Sequence, residues 1–160
     1  MVSRMTYVSP IVHYLTINGK YLTPNNSVFP SSTITGPLSS NTLTDWRATP
    51  EIRELSINLT IQEGSGLLSI NLLVLDPIES SNGITSTGNP PIATIPIVPS
   101  DARVTGNAVV RMTVSRSGNA TAWVNSTPRL VGSFPVPFKW QLQFDIIGSF
   151  SIIGTYEGRD

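Results

Sequence analysis

The chain has no cysteine and a single histidine, His13, among its 160 residues. The missing cysteines exclude a disulfide scaffold, a thiol nucleophile and a cysteine-ligated zinc site together. One histidine excludes a multi-histidine metal centre within one chain; three copies of His13 would meet only on the axis of a trimer. A Ser-His-Asp triad would have to use His13, yet no Gly-x-Ser-x-Gly elbow exists to present a serine. His13 is therefore read as a packing or hydrogen-bonding residue.

Charge is also scarce. Only 12% of residues are charged, against an average of about 25%. Ten basic and ten acidic side chains give a formal net charge of zero. Such a surface has little to attract a phosphate backbone or anionic lipid, and Arg103, Arg111, Arg116 and Arg129 are scattered, so neither nucleic acid nor membrane is expected as a partner. Zero net charge also removes the electrostatic barrier to association. Either Ser, Thr and Asn keep the chain soluble, or neighbours cover much of its surface. Long apolar runs are missing as well: the longest is Leu72 to Leu75, far short of the roughly 20 residues of a spanning helix. The stretch Met1 to Tyr7 lacks the apolar core of a signal peptide.

What is present is alternation. Phe138, Trp140, Leu142, Phe144 and Ile146 occupy every second position, with Lys139, Gln141, Gln143 and Asp145 between them. That period of two marks a strand with one buried face. Gly148-Ser149 follows with glycine first, as a tight II′ turn needs, and Phe150, Ile152 and Tyr156 share a face of a second strand. The pair reads as a closing β-hairpin. Upstream, Leu55, Ile57, Leu59 and Ile61 alternate with polar residues; Gly64-Ser65-Gly66 reads as a turn; Leu68, Ile70, Leu72 and Val74 continue on a partner strand. Leu73 and Leu75 make that partner apolar on both faces, hence central. Ile92 to Val98 contains Pro96 and reads as an edge strand. Val110, Met112 and Val114 mark a further strand, which pairs through the turn Ser115 to Asn119 with Ala120 to Val124. About eight strands and no amphipathic helix predict an all-β fold, an antiparallel β-sandwich or jelly roll.

Residues 1–50 differ. Asn18-Gly19 predicts a short hairpin that folds Tyr14-Leu15-Thr16-Ile17 against Lys20-Tyr21-Leu22-Thr23. Beyond it, Pro24, Pro30, Pro37 and Pro50 punctuate Ser-, Thr- and Asn-rich sequence in which only Asp45 and Arg47 are charged. The stretch is too polar for a core and too long for an ordinary loop. The division expected is an extended N-terminal arm, residues 1–50, and a sandwich domain, residues 51–160. Such an arm orders only against a surface, either its own body or a neighbouring subunit.

No catalytic, cofactor or metal residues are expected. Most of the ten carboxylates, among them Asp45, Asp76, Asp101 and Asp145, sit beside turns or on polar strand faces, where solvated carboxylates are normal. Of the three tryptophans, Trp140 lies on the buried register, Trp123 is out of phase with Ala120, Ala122 and Val124 and so faces outward, and Trp46 lies near the end of the arm. Tyr14, Tyr21, Phe29, Trp46 and Trp123 are the candidate assembly contacts. Trp46 and Trp123 also raise the alternative of a sugar-stacking platform.

Several of these runs resemble the small β-sandwich structural proteins of tailed-bacteriophage virions. They are the alternating strand ending in a Gly-Ser-Gly-type turn, Leu55 to Gly66; the strand closing on Asp76-Pro77 before a Ser/Gly-rich loop; the Pro-x-x-Trp strand Val136-Pro137-Phe138-Lys139-Trp140-Gln141-Leu142; and the Gly-Ser-Phe segment Gly148 to Gly154. The resemblance covers residues 52–156. Residues 1–50 and the long loop after Asp76-Pro77 depart from it. It implies a non-enzymatic virion component such as a capsid decoration (cementing) or minor head protein. It further implies a homo-oligomer, with a trimer as the expected form, bound to the major capsid protein or other virion proteins at the capsid surface; residues 1–50 are expected to clasp the lattice and neighbouring copies while the sandwich projects outward. The rival expectations are a tail protein, a carbohydrate-binding module and an extracellular filament subunit.

Overall fold

The computed structural model describes residues 12–22, 34, 37–48, 54–75, 93–97, 108–115, 119–125, 127–133 and 139–159. Among them no helix occurs, and eleven strands do. They are β1 (Val12–Tyr14), β2 (Thr16–Ile17), β3 (Lys20–Tyr21), β4 (Thr42–Leu43), β5 (Arg47–Ala48), β6 (Glu54–Leu75), β7 (Ala93–Ile97), β8 (Ala108–Ser115), β9 (Asn119–Val124), β10 (Thr127–Ser133) and β11 (Lys139–Arg159). Every pairing is antiparallel. The chain is an all-β antiparallel sandwich.

Its spine is a single long pair. β6 has 22 residues and β11 has 21, and they stay paired from Glu54–Arg159 to Leu75–Lys139 with one register shift. This corrects the two hairpins expected from Gly64-Ser65-Gly66 and Gly148-Ser149. Those segments face each other inside the ladder, Gly66 opposite Gly148 and Ser65 opposite Ser149. Both glycines have positive φ, +97° and +110°, which L side chains resist, and a Cβ on Gly66 would run into the carbonyl of Ile147. The glycines therefore bend two continuous strands rather than ending them.

The bend is sharp. A straight strand of β11's length would run about 70 Å. Ala48 lies opposite Lys139 and Glu54 opposite Arg159, and the chain between Ala48 and Glu54 reaches at most about 22 Å. The two ends of β11 must therefore return to each other. They do: the rings of Trp140 and Tyr156 pack edge-to-face, centroids 5.2 Å apart.

Folding at the bend gives two layers. The first joins β1, the second half of β11, the first half of β6, β8, β9 and β10; the second joins β4 and β5, the first half of β11, the second half of β6 and β7. Leu55, Ile57, Leu59 and Ile61 face inward from odd positions of β6, but Leu68, Ile70 and Leu72 do so from even ones. A bulge supplies the change of parity, since Ser151 pairs with Glu63 while Ile152 pairs with Ile61. β11 needs no such shift, and Trp140, Leu142, Phe144, Ile146, Phe150 and Ile152 are all buried from even positions. Val110, Met112, Val114, Ala120, Ala122 and Val124 close the core from β8 and β9. β7, with Pro96, pairs only with β6 among the described strands. β10 adds a strand beside β9 that the sequence reading did not anticipate.

The described parts of the first fifty residues run antiparallel along the free edge of β11. Val12 starts opposite Glu157, Leu15 donates its N–H to Gly154 O, Leu38 bridges to Phe150, β4 pairs at Phe144 and β5 at Trp140. Between the two possible surfaces for this segment, its own body orders residues 12–22 and 37–48. Leu15 and Leu22 are core residues, 0% and 2% exposed. The ribbon covers the backbone edge that β11 would otherwise present to other chains.

Candidate functional site

Two surfaces gather chemistry. The first is a clasp where the β2–β3 hairpin meets β5. Asn18-Gly19 makes the turn, with φ of 51° and 79°, and its two amide N–H groups point outward. Asp45 accepts both, from Asn18 N at 3.0 Å and Gly19 N at 2.9 Å, and accepts the Thr16 hydroxyl at 2.6 Å. Thr16 Oγ1 in turn accepts from Arg47 Nη2, and Arg47 Nη1 donates to the carbonyl of Trp46 at 3.3 Å. Burial alone would raise the Asp45 pKa. The hydrogen bonds from Thr16, Gly19 and Asn18, with the Arg47 charge, outweigh it and hold the carboxyl below its ordinary value of 3.8.

Around the clasp is an open pocket of about 440 Å³ lined by His13, Tyr14, Thr16, Gly19, Tyr21, Asp45, Arg47 and Tyr156. His13 stacks on Tyr156 with centroids 5.2 Å apart, and Tyr14 meets Tyr21 edge-on at 6.3 Å. Burial pushes the Tyr156 phenol pKa up, against a smaller opposing effect of Arg47, so the phenol stays neutral. Arg47 Nε and the indole N–H of the fully buried Trp140 are both buried with no hydrogen-bond partner. Thr16, Asp45 and Arg47, with the Asn18 and Gly19 amides, are bonded to one another, which makes the clasp a fastener of the N-terminal ribbon.

The second surface is the outer face of the first layer. Register places one row across five strands: Tyr14 opposite Thr155, Thr155 opposite Asn58, Asn58 opposite Arg111, and Arg111 opposite Trp123. Directly opposed residues send their side chains to the same face. A pocket of about 610 Å³ opens at the Trp123 end, lined by Val109, Arg111, Trp123 and Asn125. Its wall is fixed by a reciprocal pair of bonds, Asn125 N to Val109 O at 2.9 Å and Val109 N to Asn125 Oδ1 at 2.8 Å. Among the described residues no group of three or more His, Asp or Glu side chains gathers as a metal site, and no helix is long and apolar enough to cross a membrane.

The five candidate contacts are dispersed. Tyr14 and Tyr21 come together at the clasp. Trp46 is partly buried between β4 and β5, and Trp123 lies on the other layer. Phe29 falls outside the described residues. Trp46 and Trp123 do not form one aromatic row, because β5 flanks β11 in the second layer while β9 lies on the far side of β8 in the first. Asp45, Arg47, Thr16 and Arg111 were not singled out from sequence. The one available signal was the isolation of Asp45 and Arg47 in an uncharged stretch close to an Asn-Gly turn.

No protein-family profile and no curated protein matches this sequence. Solved structures share the architecture at low identity. A sialidase matches with a TM-score of 0.39 and 12% identity over 75% of this chain, which spans only 14% of that protein. The neuralized NHR1 domain of Drosophila melanogaster matches with a TM-score of 0.45 and 12% identity, over 93% of this chain and 96% of that one. Sheep galectin-11 matches with a TM-score of 0.40 and 8% identity, over 76% and 99%. Likeness at this level carries no argument about function.

Proposed function

We propose that the chain is a non-enzymatic structural protein that docks on other protein subunits, and specifically a bacteriophage capsid decoration protein. The observation that carries docking is the apolar pair at the bend. Ile147 and Leu67 are register partners, 70% and 51% exposed, on a chain with zero formal net charge. An exposed cross-strand apolar pair with little charge to keep it apart favours burial against a partner. The resemblance of residues 52–156 to virion sandwiches supports the capsid as that partner and a trimer as the assembled form. With residues 12–22 and 37–48 engaged on their own β11, the lattice contact falls to the bend and to the exposed side chains Leu43 and Val12.

The test is proteomics and electron microscopy of gradient-purified particles from the source that encodes the chain. Stoichiometric copies on the head, lost on Ile147→Asp with Leu67→Asp, are the expected result. Density on the tail would replace decoration by the tail reading, and absence from particles would overturn both.

A further inference from the structure

We propose that the outer face of the first layer binds an acidic oligosaccharide laid across the strands, with Trp123 as the stacking platform and Arg111 as the carboxylate's partner. The pocket of about 610 Å³ beside these two residues falls in the size range of small-ligand sites, roughly 300–1,000 Å³. Trp123 and Arg111 are direct cross-strand neighbours, so an aromatic face and a guanidinium meet a ligand from the same side. An aromatic ring takes the apolar C–H face of a pyranose. A guanidinium takes a carboxylate through two parallel N–H donors.

Charge selects the acidic class. None of the described pocket-lining residues is a carboxylate. Among the described residues Arg111 shows no hydrogen bond or ion pair, and it is exposed. The rest of the row suits sugar hydroxyls, since Asn58 and Thr155 offer amide and hydroxyl groups and are only partly buried. From Trp123 to Tyr14 the row crosses four inter-strand gaps, about 19 Å, an oligosaccharide's span rather than a monosaccharide's. The Asn125–Val109 bonds hold the wall in place before a ligand arrives, which lowers the ordering cost of binding.

Two other occupants fit less well. An extended peptide adds to a sheet edge, but β8 and β9 are paired on both sides. A nucleic acid needs several cations on its phosphates, and Arg111 is the only cation among the described residues that line this pocket.

The experiment titrates the full chain with tetragalacturonate, its methyl ester, tetramannuronate and a hyaluronan tetrasaccharide, read by calorimetry and tryptophan fluorescence. At least one acidic tetrasaccharide should bind, and tetragalacturonate should bind more tightly than the ester, which keeps the sugar rings but has lost the charged, two-oxygen carboxylate. Arg111→Gln should equalise acid and ester. Trp123→Ala should weaken acid and ester alike by about tenfold, the equivalent of one good stacking contact. Circular dichroism checks the fold; if Trp123→Ala is unfolded, Trp123→Phe and Arg111→Gln carry the test. The proposal is overturned by no binding of any acidic tetrasaccharide at millimolar concentration, by equal binding of acid and ester to the unaltered chain, or by binding that both substitutions leave unchanged. Selection of peptides, but no saccharide, at this face would also overturn it. Particle occupancy is measured separately, so this inference and the docking reading fail independently.

Discussion

Trp140 and Tyr156 stand near opposite ends of one strand, yet their rings pack edge-to-face at 5.2 Å. The contact exists because β11 folds back on itself at Gly148, and it joins the two layers where the N-terminal ribbon crosses them. Trp140 is also the largest fully buried side chain.

Replacing Trp140 by Ala is expected to destabilise the fold by about 3–5 kcal/mol, the usual range for deleting a large buried aromatic. Trp140→Phe should cost less than half as much, because it keeps a ring while removing a buried N–H that lacks an acceptor. Urea unfolding of both variants checks the order. Equal losses would mean that the indole N–H is satisfied in solution.

Two glycines with positive φ separate backbone strain from steric clash. Gly19 has φ +79° and nothing within 4 Å of an added Cβ. Gly19→Ala should therefore cost only the left-handed penalty, about 1–2 kcal/mol. Gly66→Ala adds a collision with the Ile147 carbonyl in the facing strand, so it should lower the melting temperature much further or abolish folding. Thermal melts of the two variants decide this, and similar shifts would show that the bend tolerates a side chain.

The clasp predicts a dependence on acid. The folded pKa of Asp45 lies below its value of 3.8 in the unfolded chain. A depressed carboxylate pKa contributes stability that is fully present above the unfolded value and is lost as pH falls through the folded one. The melting temperature should accordingly fall below pH 4, and Asp45→Asn should flatten that part of the curve while lowering the plateau at neutral pH. Parallel curves for the two proteins below pH 4 would dissociate Asp45 from the acid response.

The N-terminal ribbon should be essential to the monomer. Leu15→Ala is expected to cost about 2–5 kcal/mol, and removal of residues 1–48 should expose both the core and the β11 edge. Size-exclusion chromatography of the truncated chain should show aggregates or strand-paired oligomers. A stable, monomeric truncation would show that the ribbon is not needed to close the core or to cover the β11 edge.

Much of the core was legible because a buried face imposes a period of two. Leu55 to Ile61, Trp140 to Ile146 and Val110 to Val114 carried it plainly. The glycine segments were misread because Gly-Ser supplies the same backbone freedom to a tight turn and to a bend within a paired strand; which one forms depends on the facing strand. The bulge opposite Ser151 is likewise a property of the pair. Residues 37–48 looked unlike a strand partner because an edge is covered by backbone hydrogen bonds, which need no apolar periodicity. Trp123 could be placed outside from phase alone. Its neighbour Arg111 required the register of β8 against β9, and the Asp45 clasp required contacts across nearly thirty positions of chain.

The ribbon's partner strand has a consequence for synthesis. β1 is among the first described residues to leave the ribosome, and β11, the strand it pairs with, is the last. At about 5–20 residues per second, translation separates them by on the order of ten seconds. Through that interval Leu15 and Leu22 have no core to enter, because the wall that receives them has not been made. The nascent chain must therefore keep its leading segment unaggregated until β11 emerges, so this fold cannot close strand by strand from its N-terminus but waits for the strand made furthest from it.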